Sequence, residues 1–88
     1  MYKILINGIA AEYLPVTDRG LHYGDGIFET IACEDTHPLF MCQHLQRMEN
    51  AAGKLDIPYP GRHRLEQDIR RLLVDNSGRC VIKVILTR

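Results

Sequence analysis

The stretch DRGLHYGDGIFETI, residues 18–31, places a glycine-rich segment directly ahead of a strand-like run. Its glycines at 20, 24 and 26 allow a backbone to turn sharply and to approach a ligand closely. We therefore predict a ligand-facing loop in DRGLHYGDGIFE, with an ordinary connection between strands as the alternative. The spacing G-x-x-x-G-x-G fits neither the dinucleotide fingerprint nor a P-loop, which argues against nucleotide binding by those routes.

Two hairpins are predicted around this segment. The Asn-Gly pair at 7–8 is a strong hairpin signal and joins short strands over 2–6 and 9–14. GIFETIAC at 26–33 alternates in polarity and is followed by a turn-rich segment and then the apolar LFM at 39–41. The alternation and the turn predict a second hairpin.

Two amphipathic helices and a closing strand follow. Apolar residues recur every three or four positions from Met41 to Leu55, and again from His63 to Val74, which is the repeat of a helix with one buried face. CVIKVILTR, residues 80–88, is rich in β-branched residues and predicts a strand. The order β-β-β-β-α-α-β has no alternating βαβ units, so we expect an α+β fold, mostly an antiparallel sheet with two helices on one face.

Composition excludes several classes of function. The 88 residues carry 11 basic and 11 acidic side chains, so a formal net charge of zero gives no electrostatic reason to expect nucleic acid or anionic lipid as a partner. No run approaches the length of a membrane span and no signal peptide is evident, so we expect a cytoplasmic protein.

The histidines lack metal-ligand spacing, and we expect no metal site. Three cysteines without C-x-x-C spacing suggest buried thiols in a reducing compartment: Cys33, Cys42 and Cys80.

Two basic residues allow more than one interpretation. Arg47 lies near the edge of the apolar stripe of the first helix, where it either is solvated or leans toward an anion. Lys83 shares a strand face with Val81 and Ile85, where an unpaired ammonium would be costly. It therefore stands either at a sheet end in water or in a cavity that binds a carboxylate.

Taken together, DRGLHYGDGIFETI, HLQRM at 44–48 and VIKVILTR at 81–88 resemble the fold type IV pyridoxal phosphate enzymes. That class includes branched-chain aminotransferases, D-amino acid aminotransferases and aminodeoxychorismate lyases. The resemblance covers essentially the whole chain in order and spacing. It implies the small N-terminal domain, residues 1–88, of a homodimeric enzyme that holds pyridoxal phosphate against a larger C-terminal domain.

The resemblance also implies roles for four residues. Arg47 matches the arginine of the H-x-x-R motif that binds the cofactor phosphate, and Tyr23 and Phe28 match positions that line the substrate side of the cofactor. Lys83 matches a substrate-binding position that is a lysine in aminodeoxychorismate lyases and an arginine in branched-chain enzymes. The lyase is therefore the favoured activity, and an aminotransferase of the same family is the alternative.

The Schiff-base lysine of this class lies in the C-terminal domain, so the resemblance implies no catalytic residue within this chain. Its lysines, Lys3, Lys54 and Lys83, occupy other positions. We therefore expect the 88 residues to be a fragment that is inactive alone. A third hypothesis, from another class, is a non-catalytic domain that binds a small ligand or a partner protein.

Overall fold

A computed structural model describes residues 3–88, in which five strands and three helices follow in the order β-β-α-β-β-α-α-β. Tyr2, where the first predicted strand begins, lies outside the described residues. The elements are β1 (Leu5–Ile6), β2 (Ile9–Ala10), α1 (Arg19–Tyr23), β3 (Gly26–Glu34), β4 (His37–Pro38), α2 (Met41–Leu55), α3 (Arg62–Leu73) and β5 (Arg79–Thr87).

The central feature is a three-stranded antiparallel sheet in the order β4-β3-β5. β3 and β5 pair along their whole length, from Gly26 opposite Thr87 to Glu34 opposite Arg79. β1 and β2 form a separate antiparallel hairpin. The predicted α+β class with mostly antiparallel pairing is confirmed.

α2 and α3 cover one face of this sheet, as predicted. The apolar stripe of α2 buries Leu45, Met48 and Ala52, whereas Leu55 at the end of the helix is about half exposed. α2 has the predicted bounds, and α3 is displaced by one residue at each end. The helices and the sheet share one hydrophobic core, formed by Ile31, Cys33, Leu45, Ile69, Leu73 and Ile82.

The predicted loop at DRGLHYGDGIFE is wrong over most of its length, because residues 19–23 form the short helix α1 and residues 26–29 belong to β3. Asp18 caps the N-terminus of α1 by accepting a hydrogen bond from the Gly20 N–H at 3.0 Å. Gly24 ends the helix in the left-handed conformation, with φ of 62°, which glycine adopts without steric cost. A five-residue helix has no apolar repeat, so periodicity could not reveal it.

Both hairpins differ from the predicted bounds. Pairing of β1 with β2 is limited to two residue pairs, because the side chains beyond it, such as Tyr13, are exposed and have nothing to pack against. In the second hairpin the short strand is β4, directly after the turn, rather than 39–41. Phe40 has φ of 56° and redirects the chain into α2.

The three cysteines are free thiols but only one is buried, which corrects the expectation for Cys42 and Cys80. Cys33 is in the core, Cys80 is half-buried and Cys42 is exposed near the start of α2. Cys42 is the second residue of that helix, and its Sγ accepts a hydrogen bond from Arg62 Nη2 at 2.6 Å.

Candidate functional site

The sheet has one covered face and one exposed face. Side chains alternate across a strand, so in β3 and β5 every second residue turns away from the helices. We call this surface the open face. It consists of Phe28, Thr30, Ala32, Val81, Lys83 and Ile85.

Lys83 stands in the middle of the open face, opposite Thr30 in the register. Its Nζ lies 4.6 Å from the centre of the Phe28 ring, a cation–π distance. Lys83 is therefore exposed to water, as the first interpretation held, but in the middle of its strand and not at a sheet end. No carboxylate within residues 3–88 forms an ion pair with it, so its charge can receive a carboxylate from outside.

Tyr23 lies at the end of α1 and is exposed. The guanidinium of Arg19 lies 4.8 Å from the centre of its ring. Within the described part of the chain the phenol hydroxyl has no hydrogen-bond partner, so it can donate to a ligand.

An ion-pair network fixes the segment that carries Tyr23. Asp25 accepts hydrogen bonds from the Nε atoms of Arg19 and Arg88, each at 2.8 Å. These hydrogen bonds, that from Arg19 first, hold the pKa of Asp25 below its usual range. Arg88 also donates to the carbonyl oxygens of Leu55 and Asp56 at the end of α2. The α1 segment, β5 and the end of α2 are thereby tied together.

Arg47 is engaged on the covered side of the sheet. Its Nε and Nη2 donate to the two carboxylate oxygens of Glu29 at 2.9 and 2.8 Å. His44 Nδ1 lies 2.7 Å from Oε1 of the same carboxylate. The hydrogen bond from Arg47 is the main reason that the pKa of Glu29 is lowered, and burial opposes it.

The structure therefore brings together Phe28 and Lys83 but not all four predicted site residues. Arg47 reaches the sheet from the helix side, through Glu29, whose side chain points away from the open face. Phe28 and Glu29 are consecutive, so the two groups of residues meet at one point of β3.

Sequence reasoning missed Glu29, although a signal was present. The alternation of β3 places Glu29 on the same side as Ile27, Ile31 and Cys33, and a carboxylate at an inward position of a strand is unusual. Its partner could not be found in this way, because no spacing rule connects position 29 on a strand with position 47 on a helix.

Residues 26–88 match the family described as amino-transferase class IV. The chain belongs to this family. The match takes in β3, both long helices and β5, which are the elements that carry Phe28, Arg47 and Lys83.

Similar class IV proteins include lyases and transaminases. The aminodeoxychorismate lyase of Vibrio harveyi is 33% identical over 84 residues, covering 94% of this chain and 30% of that protein. The solved 4-amino-4-deoxychorismate lyase of Pseudomonas aeruginosa matches with a TM-score of 0.80 and 38% identity, over 93% of this chain and 30% of the other. A fold IV-transaminase from Curtobacterium pusillum matches with a TM-score of 0.81 and 36% identity, over 89% and 29%. The chain thus spans about 30% of the length of these relatives.

Class IV aminotransferases and lyases use pyridoxal phosphate, and a related aminotransferase from Mycobacterium tuberculosis has been solved with it bound. Arg47 fits a phosphate group on the geometry seen here. Its side chain is 71% exposed, and Nη1 makes no hydrogen bond to any residue from 3 to 88. The ion pair with Glu29 uses only the Nε and Nη2 edge of the Arg47 guanidinium. The remaining N–H groups can therefore donate to an anion.

Two further observations bear on the kind of site. Within residues 3–88, His, Cys, Asp and Glu side chains form no group that could hold a metal ion. None of the helices in this part of the chain has both the length and the apolar character needed to cross a bilayer.

Proposed function

We propose that this chain is the N-terminal part of a pyridoxal phosphate-dependent aminodeoxychorismate lyase of folate biosynthesis. The reaction converts 4-amino-4-deoxychorismate into 4-aminobenzoate and pyruvate, with all atoms of the substrate retained in the two products. The observation that carries the proposal is the ammonium of Lys83, which has no acidic partner within the described chain and stands on the open face beside Phe28.

The substrate carries two carboxylates and a cyclohexadiene ring, and each of these finds a suitable group in this chain. The Lys83 ammonium suits a carboxylate, because charge-assisted hydrogen bonds are the stronger ones. Phe28 offers an apolar wall next to it, and the Tyr23 hydroxyl offers a donor. These three residues bind and orient the substrate in this proposal.

Arg47 holds the cofactor phosphate in the same proposal. A planar guanidinium matches phosphate oxygens, and Arg47 keeps donors free on its exposed side. When bound, the cofactor supplies an electron sink for bond cleavage next to the substrate amino group. The residues of this chain bind and orient, and they do not transfer the proton.

The domain assignment is part of the proposal: residues 1–88 form the smaller, N-terminal domain, and the covalently cofactor-binding lysine belongs to a larger one. Lys3 and Lys54 are exposed at positions away from the open face, and Lys83 is assigned to the substrate. The large exposed apolar side chains of the open face support a covering domain, since a solitary domain rarely presents such a patch. From the resemblance to the fold type IV enzymes we also propose that the protein is a cytoplasmic homodimer.

A transaminase acting on branched-chain or D-amino acids is the alternative within the family. The Curtobacterium pusillum transaminase supports it, because that structure matches this chain as well as the lyase does. A transaminase also needs a cation for a substrate carboxylate, so Lys83 serves either activity. A non-catalytic binding domain is the alternative from another class.

The test is turnover by the full-length protein. Purified protein is assayed for release of 4-aminobenzoate and pyruvate, and separately for amino transfer from branched-chain and D-amino acids. Lys83→Met is expected to raise the KM for aminodeoxychorismate about tenfold, the usual scale for one charge-assisted contact. Lys54→Met, on the exposed end of α2, is the matched control and should leave KM unchanged.

Three results would contradict parts of the proposal. Amino transfer without pyruvate release would replace the lyase by the transaminase. Borohydride reduction followed by peptide mapping that finds the cofactor on Lys83 would remove this lysine from the substrate site. Turnover by the 88-residue polypeptide alone would refute the domain assignment.

A further inference from the structure

Glu29 is the buried charged side chain among residues 3–88, with a side chain only 9% exposed. A carboxylate in such a position is costly unless its oxygens are hydrogen-bonded. Here they accept two hydrogen bonds from Arg47 and one from His44, and no buried polar side-chain atom in the described chain lacks a partner.

The Glu29 pair fixes the orientation of an otherwise exposed guanidinium. Arg47 is 71% exposed, and a free arginine side chain loses rotamer entropy when it binds. Two parallel hydrogen bonds to one carboxylate define both the position and the plane of the guanidinium. The remaining N–H donors, on Nη1 and on the outer side of Nη2, then point away from Glu29 in fixed directions.

His44 supports the carboxylate from the same helix. It lies three residues before Arg47 on α2, so the two side chains share one face. An ionised carboxylate only accepts hydrogen bonds, so Nδ1 of His44 carries the proton in the 2.7 Å contact. Its side chain is 21% exposed, which leaves Glu29 shielded on that side.

We propose that Glu29, supported by His44, is a positioning residue that presents Arg47 in a fixed orientation to the phosphate group of the cofactor. The inference rests on the proposed role of Arg47 and extends it to two residues on different elements. Glu29 itself does not touch the cofactor in this arrangement, because like charges would repel. Its contribution passes through Arg47.

The experiment measures cofactor affinity in the full-length protein after removal and re-addition of the cofactor. Pyridoxal phosphate and pyridoxal are titrated separately into the wild type, Glu29→Gln, Arg47→Ala and the double variant, and binding is followed by absorbance. Arg70→Ala is the matched control, because Arg70 is an exposed helical arginine with no hydrogen-bond partner within residues 3–88.

We expect Arg47→Ala to weaken pyridoxal phosphate binding about 100-fold and Glu29→Gln to weaken it about tenfold, in the range of charge-assisted hydrogen bonds. In the Arg47→Ala background, Glu29→Gln should change the affinity less than twofold, because its effect passes through Arg47. The affinity for pyridoxal, which has no phosphate, should be the same in all variants.

The outcomes separate the inference from the proposal on which it rests. An Arg47→Ala variant with unchanged affinity for pyridoxal phosphate would refute the role of Arg47, and with it the positioning role. A normal Arg47 effect with no Glu29→Gln effect would overturn the positioning role alone. So would an equal loss for pyridoxal, or a Glu29 effect that persists without Arg47, since both indicate a purely structural carboxylate.

A second variant covers the case in which Glu29→Gln folds poorly. His44→Gln leaves the Glu29–Arg47 pair in place and removes only the support behind it, and its expected loss is about threefold for pyridoxal phosphate and none for pyridoxal. Inorganic phosphate provides an independent probe, because it should raise the melting temperature of the cofactor-free wild type more than that of Arg47→Ala.

Discussion

Cys33 and Cys42 have the same thiol group in opposite surroundings. Burial in the core raises the pKa of the Cys33 thiol to about 11, and the neighbouring Cys80 adds to the effect. Cys42 is exposed. The reactive form is the thiolate, so the environment of each cysteine decides its reactivity.

We predict that iodoacetamide at pH 8 modifies Cys42 at least 100-fold faster than Cys33. With its pKa raised to about 11, Cys33 is only about 0.1% thiolate at that pH and the core shields it, whereas Cys42 is exposed to the reagent. The pKa is raised, so reactivity of Cys33 should increase only as the pH approaches 11. Timed alkylation with peptide mass spectrometry measures both rates, and denaturant should make them equal. Similar rates in the folded protein would place Cys33 outside the core.

At the scale of secondary-structure elements, two glycines occupy contrasting positions. A Cβ built on Gly26, at the start of β3, would lie 2.7 Å from the Leu86 carbonyl oxygen of the paired strand. Gly53 lies within α2, and a Cβ there would meet nothing within 4 Å. The first glycine allows close strand pairing, while the second only weakens its helix.

Gly26→Ala and Gly53→Ala should therefore change stability in opposite directions. The first forces two paired backbones apart and should cost about 2 kcal/mol, the scale of overpacking in a well-packed site. The second should stabilise by up to about 1 kcal/mol, the difference in helix propensity. Urea unfolding of both variants beside the wild type gives the two free energies of unfolding. A stabilised Gly26→Ala variant would mean that β3 and β5 are not paired at that end.

The sequence predicted those elements whose side chains repeat regularly. The stripe from Met41 to Leu55 gave α2 with its observed bounds, because buried positions on a helix must recur every three or four residues. α1 was missed, since a single capped turn depends on Asp18 and Gly24 rather than on a repeat. β4 was misplaced because the backbone at Phe40 is left-handed. This conformation is uncommon for an apolar residue, so the sequence gives no sign of it.

For the candidate site, the resemblance to the family predicted which residues are involved, and the structure showed which of them are in contact. Phe28 and Lys83 could be matched to family positions one by one, but their contact depends on the register of β3 against β5. Glu29 and Arg47 meet through tertiary packing of a helix on a strand. Such pairs are set by the fold as a whole, so a local pattern cannot identify them.

At the scale of the whole molecule, the described chain is two layers thick. Its shortest dimension is 18 Å, which accommodates one sheet and one layer of helices. Within residues 3–88 no third layer covers the open face, and Phe28, Val81 and Ile85 are each about 60% exposed there. A surface of this kind favours association with another apolar surface.

We predict that the isolated 88-residue polypeptide binds a hydrophobic dye and self-associates through the open face. Val81→Thr with Ile85→Thr should reduce both, because threonine keeps the preference for a strand and removes apolar area. Val74→Thr, equally exposed but at the end of α3, is the control. Sedimentation velocity and dye fluorescence report the result. Unchanged association in the double variant would locate the contact elsewhere.

The strict alternation along β3 has a consequence for how such a protein can diversify. Phe28 and Thr30 face outward while Glu29 and Ile31 face the core, and neighbouring positions therefore serve opposite sides of one strand. Inserting or deleting a single residue would exchange the two sets at once, taking a carboxylate out of the core and putting the exposed side chains of the open face into it. Evolution can thus alter what this strand presents on the open face only by replacing residues in place, and a change in the length of the strand would have to add or remove two residues at a time.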